Sequence, residues 1–191
     1  MRMFVKYLRD HETTFHFPSS PFSNIILFSI QSIMSTILKT DKAPAAIGPY
    51  SQGLKLGNLV ITSGQIPVDP VTGTFSDNIE VQARQSLMNV KAVVEAAGYE
   101  VRDIVKTTVF VKDMNDFGKV NAIYQKFFEE FNAPFPARSC VEVARLPKDV
   151  GVEIEAIAYR PFPVCSQTFH LIILLGNLGG RLSSFRTRID E

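Results

Sequence analysis

Arg138 and Cys140 stand two residues apart in a segment that begins at Pro136-Ala137, and Glu153 opens the next segment of similar character. Side chains alternate along a strand, so Arg138 and Cys140 share one face. A guanidinium fixed there could hold a carboxylate through a bidentate pair. It could equally sit in a salt bridge with Glu142 or Glu155. Glu153 is either a proton-transfer group or a solvated strand carboxylate. Cys140 reads as a nucleophile or, with no His or Cys partner in the same part of the chain, as a buried structural thiol. Tyr50, in Gly48-Pro49-Tyr50-Ser51-Gln52, is a pocket wall with a hydroxyl handle or a packed aromatic. Asn121 reads on its own as a plain surface amide.

Elimination narrows the chemistry. All three histidines (His11, His16 and His170) fall outside the periodic part of the chain. That removes Ser-His-Asp and Cys-His nucleophile arrangements and histidine metal sites from the periodic part. No Walker loop, dinucleotide fingerprint or cysteine pair at zinc spacing occurs, so the expectation is a site without metal or cofactor. Two cysteines, Cys140 and Cys165, cannot build a disulfide framework, and a reducing compartment is the default. With 20 Lys+Arg against 19 Asp+Glu the chain offers no broad basic field for a phosphate backbone. No apolar run approaches the roughly 18 residues of a membrane span.

These residues need a scaffold, and the pattern supplies one. Leu54-Lys55-Leu56 and Leu59-Val60-Ile61-Thr62 flank Gly57-Asn58, a two-residue hairpin connection. Apolar residues then recur at Ile79, Ala83, Leu87, Val90, Val94 and Ala97, which is helical spacing, with Asp77 and Glu80 in capping-box positions and Gly98 as the stop. Ile104 to Val111 is β-branched and aromatic, hence a strand. Asp113 or Asn115 caps a second helix marked by Phe117, Val120, Tyr124, Phe127, Phe128 and Phe131, an aromatic stripe that reads as core. Two strands follow, Ala137 to Val143 and Val152 to Tyr159. The order ββαβαββ predicts an α+β sandwich, two helices on one face of a mixed sheet. In the last strand Val152, Ile154, Ala156 and Ala158 line one face and Glu153, Glu155, Ile157 and Tyr159 the other. A second, partly apolar face without its own helix layer suggests oligomerisation through the sheet.

The edges are marked by composition. Residues 1–33 are rich in Phe and Ser, break at Pro18 and Pro21, and sustain no period; residues 161–191 carry Pro161, Pro163, an apolar clump and a basic end. Residues 34–160 are the expected domain. Arg2, Lys6 and Arg9 before an apolar stretch suggest a mitochondrial targeting peptide, but Asp10 and Glu12 break the acid-poor pattern. The preferred expectation is that the natural start is Met34, that residues 1–33 are an over-long reading frame, and that the protein is cytoplasmic.

Pro136-Ala137-Arg138-Ser139-Cys140-Val141-Glu142-Val143-Ala144-Arg145-Leu146 followed by Val152-Glu153-Ile154-Glu155 resembles the signature of the RidA/YjgF family of enamine and imine deaminases. Ala43 to Gly53, Thr62 to Pro67, Asn89-Val90-Lys91 and Ala96-Ala97-Gly98 agree with it, and the resemblance spans Met34 to Arg160. It implies a chorismate-mutase-like fold assembled as a homotrimer, with an inner barrel of sheets and three sites in clefts between subunits. It implies hydrolysis of 2-aminoacrylate and 2-aminocrotonate, or their imine tautomers, released by pyridoxal-phosphate-dependent dehydratases. Arg138 would bind the substrate carboxylate and Glu153 would orient or activate water. Tyr50, Ser63, Gly64 and Asn121 would shape the pocket, with the Cys140 backbone near the imino group. The alternatives are a non-catalytic trimer that binds 2-oxo acids and, less favoured by charge and by the missing histidines, a ribonuclease or translation inhibitor.

Overall fold

The structure, a computed structural model, describes residues 35–161. The expectations for residues 1–33, for Met34 and for the tail after Pro161, with Cys165 and the three histidines, lie outside the described residues. The elements are β1 (Ser35–Leu38), β2 (Gly53–Leu56), β3 (Leu59–Thr62), α1 (Ile79–Ala96), β4 (Ile104–Val111), α2 (Phe117–Glu130), β5 (Ala137–Glu142) and β6 (Val152–Tyr159). They form one sheet in the order β1-β2-β3-β6-β4-β5, parallel only between β4 and β5. The α+β class, the mixed sheet and the two helices are as expected. The element order is corrected: a strand precedes the hairpin, giving βββαβαββ. That strand pairs with β2 across the loop 39–52, so no local turn announces it.

Each helix follows its apolar spacing. Ala83, Leu87, Val90, Val94 and Ala97 are buried, and Gly98 takes φ +79°, the left-handed conformation that ends a helix most easily on glycine. The cap is Asn78, not Asp77: its Oδ1 accepts from the backbone N–H of Glu80 and of Val81. Asp113 caps a short 3₁₀ turn through Asn115 N–H, and α2 then starts at Phe117 with no side-chain cap. Phe127 and Phe128 are fully buried and pack edge to face, 5.3 Å between ring centres.

Val152, Ile154, Ala156 and Ala158 are buried in the cluster that includes Ala83, Leu87, Val90, Phe127 and Phe128, so the helices cover that face of β6. Among the described residues the opposite face has no such cover. Ile37 lies opposite Leu54, Leu54 opposite Ile61, and Ile61 opposite Ile157, an apolar row across four strands. Ile37 is 68% exposed and Leu54, Leu56, Ile61 and Tyr159 are exposed with it. Among the described residues no helix is long and apolar enough to cross a membrane.

The sheet meets α1 closely at Gly53, where a Cβ would stand 2.8 Å from Val93 Cγ1 and 2.9 Å from the Ile61 carbonyl oxygen. Gly53→Ala is expected to lower stability by about 1–3 kcal/mol through overpacking, with an unchanged urea m-value. A midpoint equal to that of the parent protein in urea unfolding would contradict this contact.

Candidate active site

The β3–β6 ladder is interrupted beside Glu153. Ile61 pairs with Ile157, and the next backbone pair joins Gln65 to Ile154. Three residues on one strand therefore face two on the other, a bulge that re-aims side chains. The displaced donors are met: Thr62 Oγ1 accepts from Ala156 N–H at 2.9 Å, and Ser63 N–H donates to the Gln52 carbonyl at 2.9 Å. The bulge sets Gly64 directly on Glu153. A Cβ at residue 64 would overlap Glu153 Oε1 and come within 2.8 Å of its Cδ, so the close approach requires glycine.

Tyr50 and Gly64 line one cavity of about 390 Å³, counting its open mouth, together with Ala45, Ile47, Gln65 and Lys148. Tyr50 is 49% exposed, and its hydroxyl accepts only a long bond, 3.4 Å, from Ile47 N–H. Ser63 does not face the cavity as a free hydroxyl; it donates to the Ser51 carbonyl at 2.6 Å and braces the Tyr50 loop. Buried Gln52 fixes the same wall, its Nε2 donating to the carbonyls of Thr40, Ala43 and Pro44 and its Oε1 accepting from Thr40 N–H.

Arg138 belongs to a second cluster. Its guanidinium lies 4.7 Å from the ring centre of Tyr124 and 5.6 Å from that of Phe117. Tyr124 is itself held by a 2.7 Å hydroxyl bond to Thr107. Among the described residues no carboxylate pairs with Arg138. Glu142 instead accepts from Met114 N–H. Asn121 shares a face of α2 with Phe117 and Tyr124, four and three residues away. Cys140 is a free, partly buried thiol whose pKa burial pushes up, disfavouring the thiolate, and the Arg138 charge offsets only part of that rise.

Register shows that the two clusters lie on opposite sides of the sheet. Arg138 is beside Thr107, which is buried with the helices; Glu153 is beside Phe110, three residues on and so on the uncovered face. One chain thus joins Tyr50, Gly64 and Glu153 in one group and Arg138, Cys140 and Asn121 in another, and does not bring the groups together. Reading the chain alone missed Gln52, Gln65 and Lys148, and it took Tyr124 for ordinary core; only the spacing of Phe117, Asn121 and Tyr124 carried a signal. Among the described residues no group of three or more His, Cys, Asp or Glu comes together as a metal site.

Residues 40–160 match the family model described as Endoribonuclease L-PSP. The 2-iminobutanoate/2-iminopropanoate deaminase of Salmonella typhimurium is 71% identical over 127 residues, 66% of this chain and 99% of that protein. The crystal structure of the YjgF gene product from E. coli superposes with a TM-score of 0.65 at 68% identity, over 66% of this chain and 99% of that one. E. coli TdcF with bound serine gives 0.65 at 59% identity over the same shares.

Burial, and then the Glu155 charge, hold the Glu153 carboxyl above its ordinary value of 4.5. A carboxyl raised by folding favours the folded state while protonated, and that contribution is lost as pH rises through the folded pKa. Glu153→Gln should therefore melt higher than the parent protein near pH 7 and show no such gain near about pH 3.5. A melting difference of the same size at both pH values would contradict the burial of this charge.

Proposed function

This chain belongs to the Endoribonuclease L-PSP family, in its RidA/YjgF branch, and from that premise we propose how its residues carry out imine hydrolysis. It is a 2-iminobutanoate/2-iminopropanoate deaminase, which converts small 2-imino acids to 2-oxo acids and ammonia. The observation that carries the residue assignment is Arg138, a guanidinium seated on two aromatic rings with no carboxylate partner among the described residues.

Arg138 takes the substrate carboxylate through two parallel hydrogen bonds. Glu153 accepts a proton from water as the water oxygen bonds to the imine carbon and the C=N electron pair moves to nitrogen. Glu153 hands that proton to nitrogen, giving a carbinolamine; it then takes the hydroxyl proton and passes it to the same nitrogen as the C–N bond breaks, so that ammonia leaves, the new carbonyl forms and Glu153 is again a carboxylate. An imine carbon is already electrophilic, so positioning plus proton transfer, the latter worth about 10²- to 10⁴-fold, suffices. The raised pKa of Glu153 makes it a stronger base than an exposed carboxylate. Tyr50, Gly64 and Asn121 shape the pocket, Ser63 braces its wall, and the Cys140 backbone lies near the imino group.

The sidedness of the sheet supports a homotrimer. Three copies packing their uncovered faces inward would bury the Ile37–Leu54–Ile61–Ile157 row and carry Glu153 of one copy to the Arg138 edge of the next. Residues 34–160 form the proposed catalytic domain, which the 127-residue matches support. Residues 1–33 and 161–191 are additions, the proposed compartment is the cytoplasm, and pyridoxal-phosphate-dependent dehydratases are the proposed source of substrate. The family model's name favours a second reading, a ribonuclease; RNA cleavage that survives both Arg138→Ala and repurification would support it.

In an assay coupled to threonine dehydratase, Arg138→Ala is expected to lose about a hundredfold or more in kcat/KM, and Arg138→Lys to recover little of it. Mixing tests the shared site directly. Arg138→Ala and Glu153→Ala proteins, each inactive alone, should regain about one quarter of full activity when co-refolded, because one interface in four then joins two intact residues. No activity in the mixture would place both residues in one subunit's site, and binding of 2-oxo acids without turnover would favour a regulatory role.

A further inference from the structure

The turn before β6 holds a cation in an unusual backbone. Leu146 and Val150 are buried on either side of it, and Gly151 N–H donates to Gln82 Oε1 at 2.7 Å. Between these anchors Lys148 has φ +56° and Asp149 φ +60°, two successive left-handed residues of which neither is glycine. Backbone in this region is strained for such side chains and persists where the surroundings over-determine it, often beside a functional site. Lys148 is also the one charged residue lining the cavity of Tyr50 and Gly64.

Its charge is not cancelled locally. The neighbouring Asp149 is committed elsewhere, 2.9 Å from Lys112 Nζ and 3.7 Å from Arg145 Nε. The Lys112 hydrogen bond and charge hold the Asp149 carboxyl below its usual range. Among the described residues no carboxylate pairs with exposed Lys148. The cavity lining therefore carries one positive charge and no carboxylate of its own, the Glu153 carboxylate lying behind it against Gly64, and every substrate of the reaction proposed above is an anion.

We propose, resting on that reading of the site, that Lys148 is a positioning residue that draws the substrate carboxylate into the Tyr50–Gly64 cavity before Arg138 takes it. The proposal separates capture from chemistry. A lone cation at a cleft mouth raises the rate of encounter, and salt screens it.

Steady-state kinetics on 2-iminobutanoate, from low to high ionic strength, test this with the full chain. Lys148→Met should lose about threefold to tenfold in kcat/KM at low salt, through KM, with kcat within about twofold of the parent. The gap should close by about 0.5 M salt, where screening is nearly complete. Lys148→Arg should restore the salt dependence. Lys148→Gly, which suits the positive φ, should fold at least as well and lose as much as the methionine variant. A methionine variant equal to the parent at low salt, or a loss unchanged at high salt, would overturn the inference while Arg138→Ala remained inactive. If Arg138→Ala retained full activity, the reading of the site would fail first and this inference with it.

Discussion

Two helices lie on one face of this six-stranded sheet, and that leaves the other face to be dealt with. α1 and α2 pack against Val152, Ile154, Ala156 and Ala158. Because a strand alternates strictly, everything between those residues is turned the other way. Glu153 and Glu155 go to the uncovered face with Ile157 and Tyr159, while Arg138, read through its pairing with Thr107, stays with the helices. The same alternation that builds the core therefore separates Arg138 from Glu153, the groups proposed to bind the carboxylate and to activate water. In the proposed trimer, a second copy on the uncovered face would remove the exposed apolar row and supply the other half of the site in one step.

Local structure serves that division. A regular β3–β6 ladder would have put a paired strand beside Glu153 and left no opening. The extra residue at Ser63-Gly64 breaks the pairing, and Thr62 Oγ1 and the Gln52 carbonyl take the donors that the break releases. Gly64 then comes close enough to bury part of the Glu153 carboxylate. Burial raises its pKa, the direction that makes it a better base and a worse contributor to folding at neutral pH. Arg138 is treated in the opposite manner: it is held by ring faces, which orient the guanidinium without using its hydrogen-bonding fork.

Much of this could be read from the chain, and the residues that could not share a cause. The hairpin about Gly57-Asn58, the strands Ile104–Val111 and Val152–Tyr159, and the stop at Gly98 are local: a few neighbouring residues determine each. β1 escaped because Ser35-Thr36-Ile37-Leu38 is a strand only by virtue of a partner across a loop. Asn78 displaced Asp77 as the cap because two adjacent residues can both cap and geometry chooses. Alternation showed that Arg138 and Cys140 share a face, but not that Glu153 has the other one. That needs the register of β4 with both β5 and β6, which no local pattern encodes. Tyr124 read as core because it is core; its ring also faces Arg138, and a buried aromatic carries no sequence mark of what lies on its second side.

The proposed division of the site would make activity conditional on assembly as well as on folding. In a separated chain Tyr124 would still carry Arg138, since Thr107, Phe117 and Tyr124 belong to the same copy. Glu153 would still rest on Gly64, and neither half would have lost a contact of its own. What is lost is the short distance between them that the proposed site requires, and with it the proximity that would serve imine hydrolysis. Dilution would therefore abolish turnover before it unfolds the sheet, because mass action acts on the interface while each core keeps its own packing. The exposed row from Ile37 to Ile157 opposes that loss, since leaving it in water costs most when the copies part. In the proposed assembly, hydrophobic burial on the uncovered face would thus set the concentration at which Arg138 and Glu153 act together.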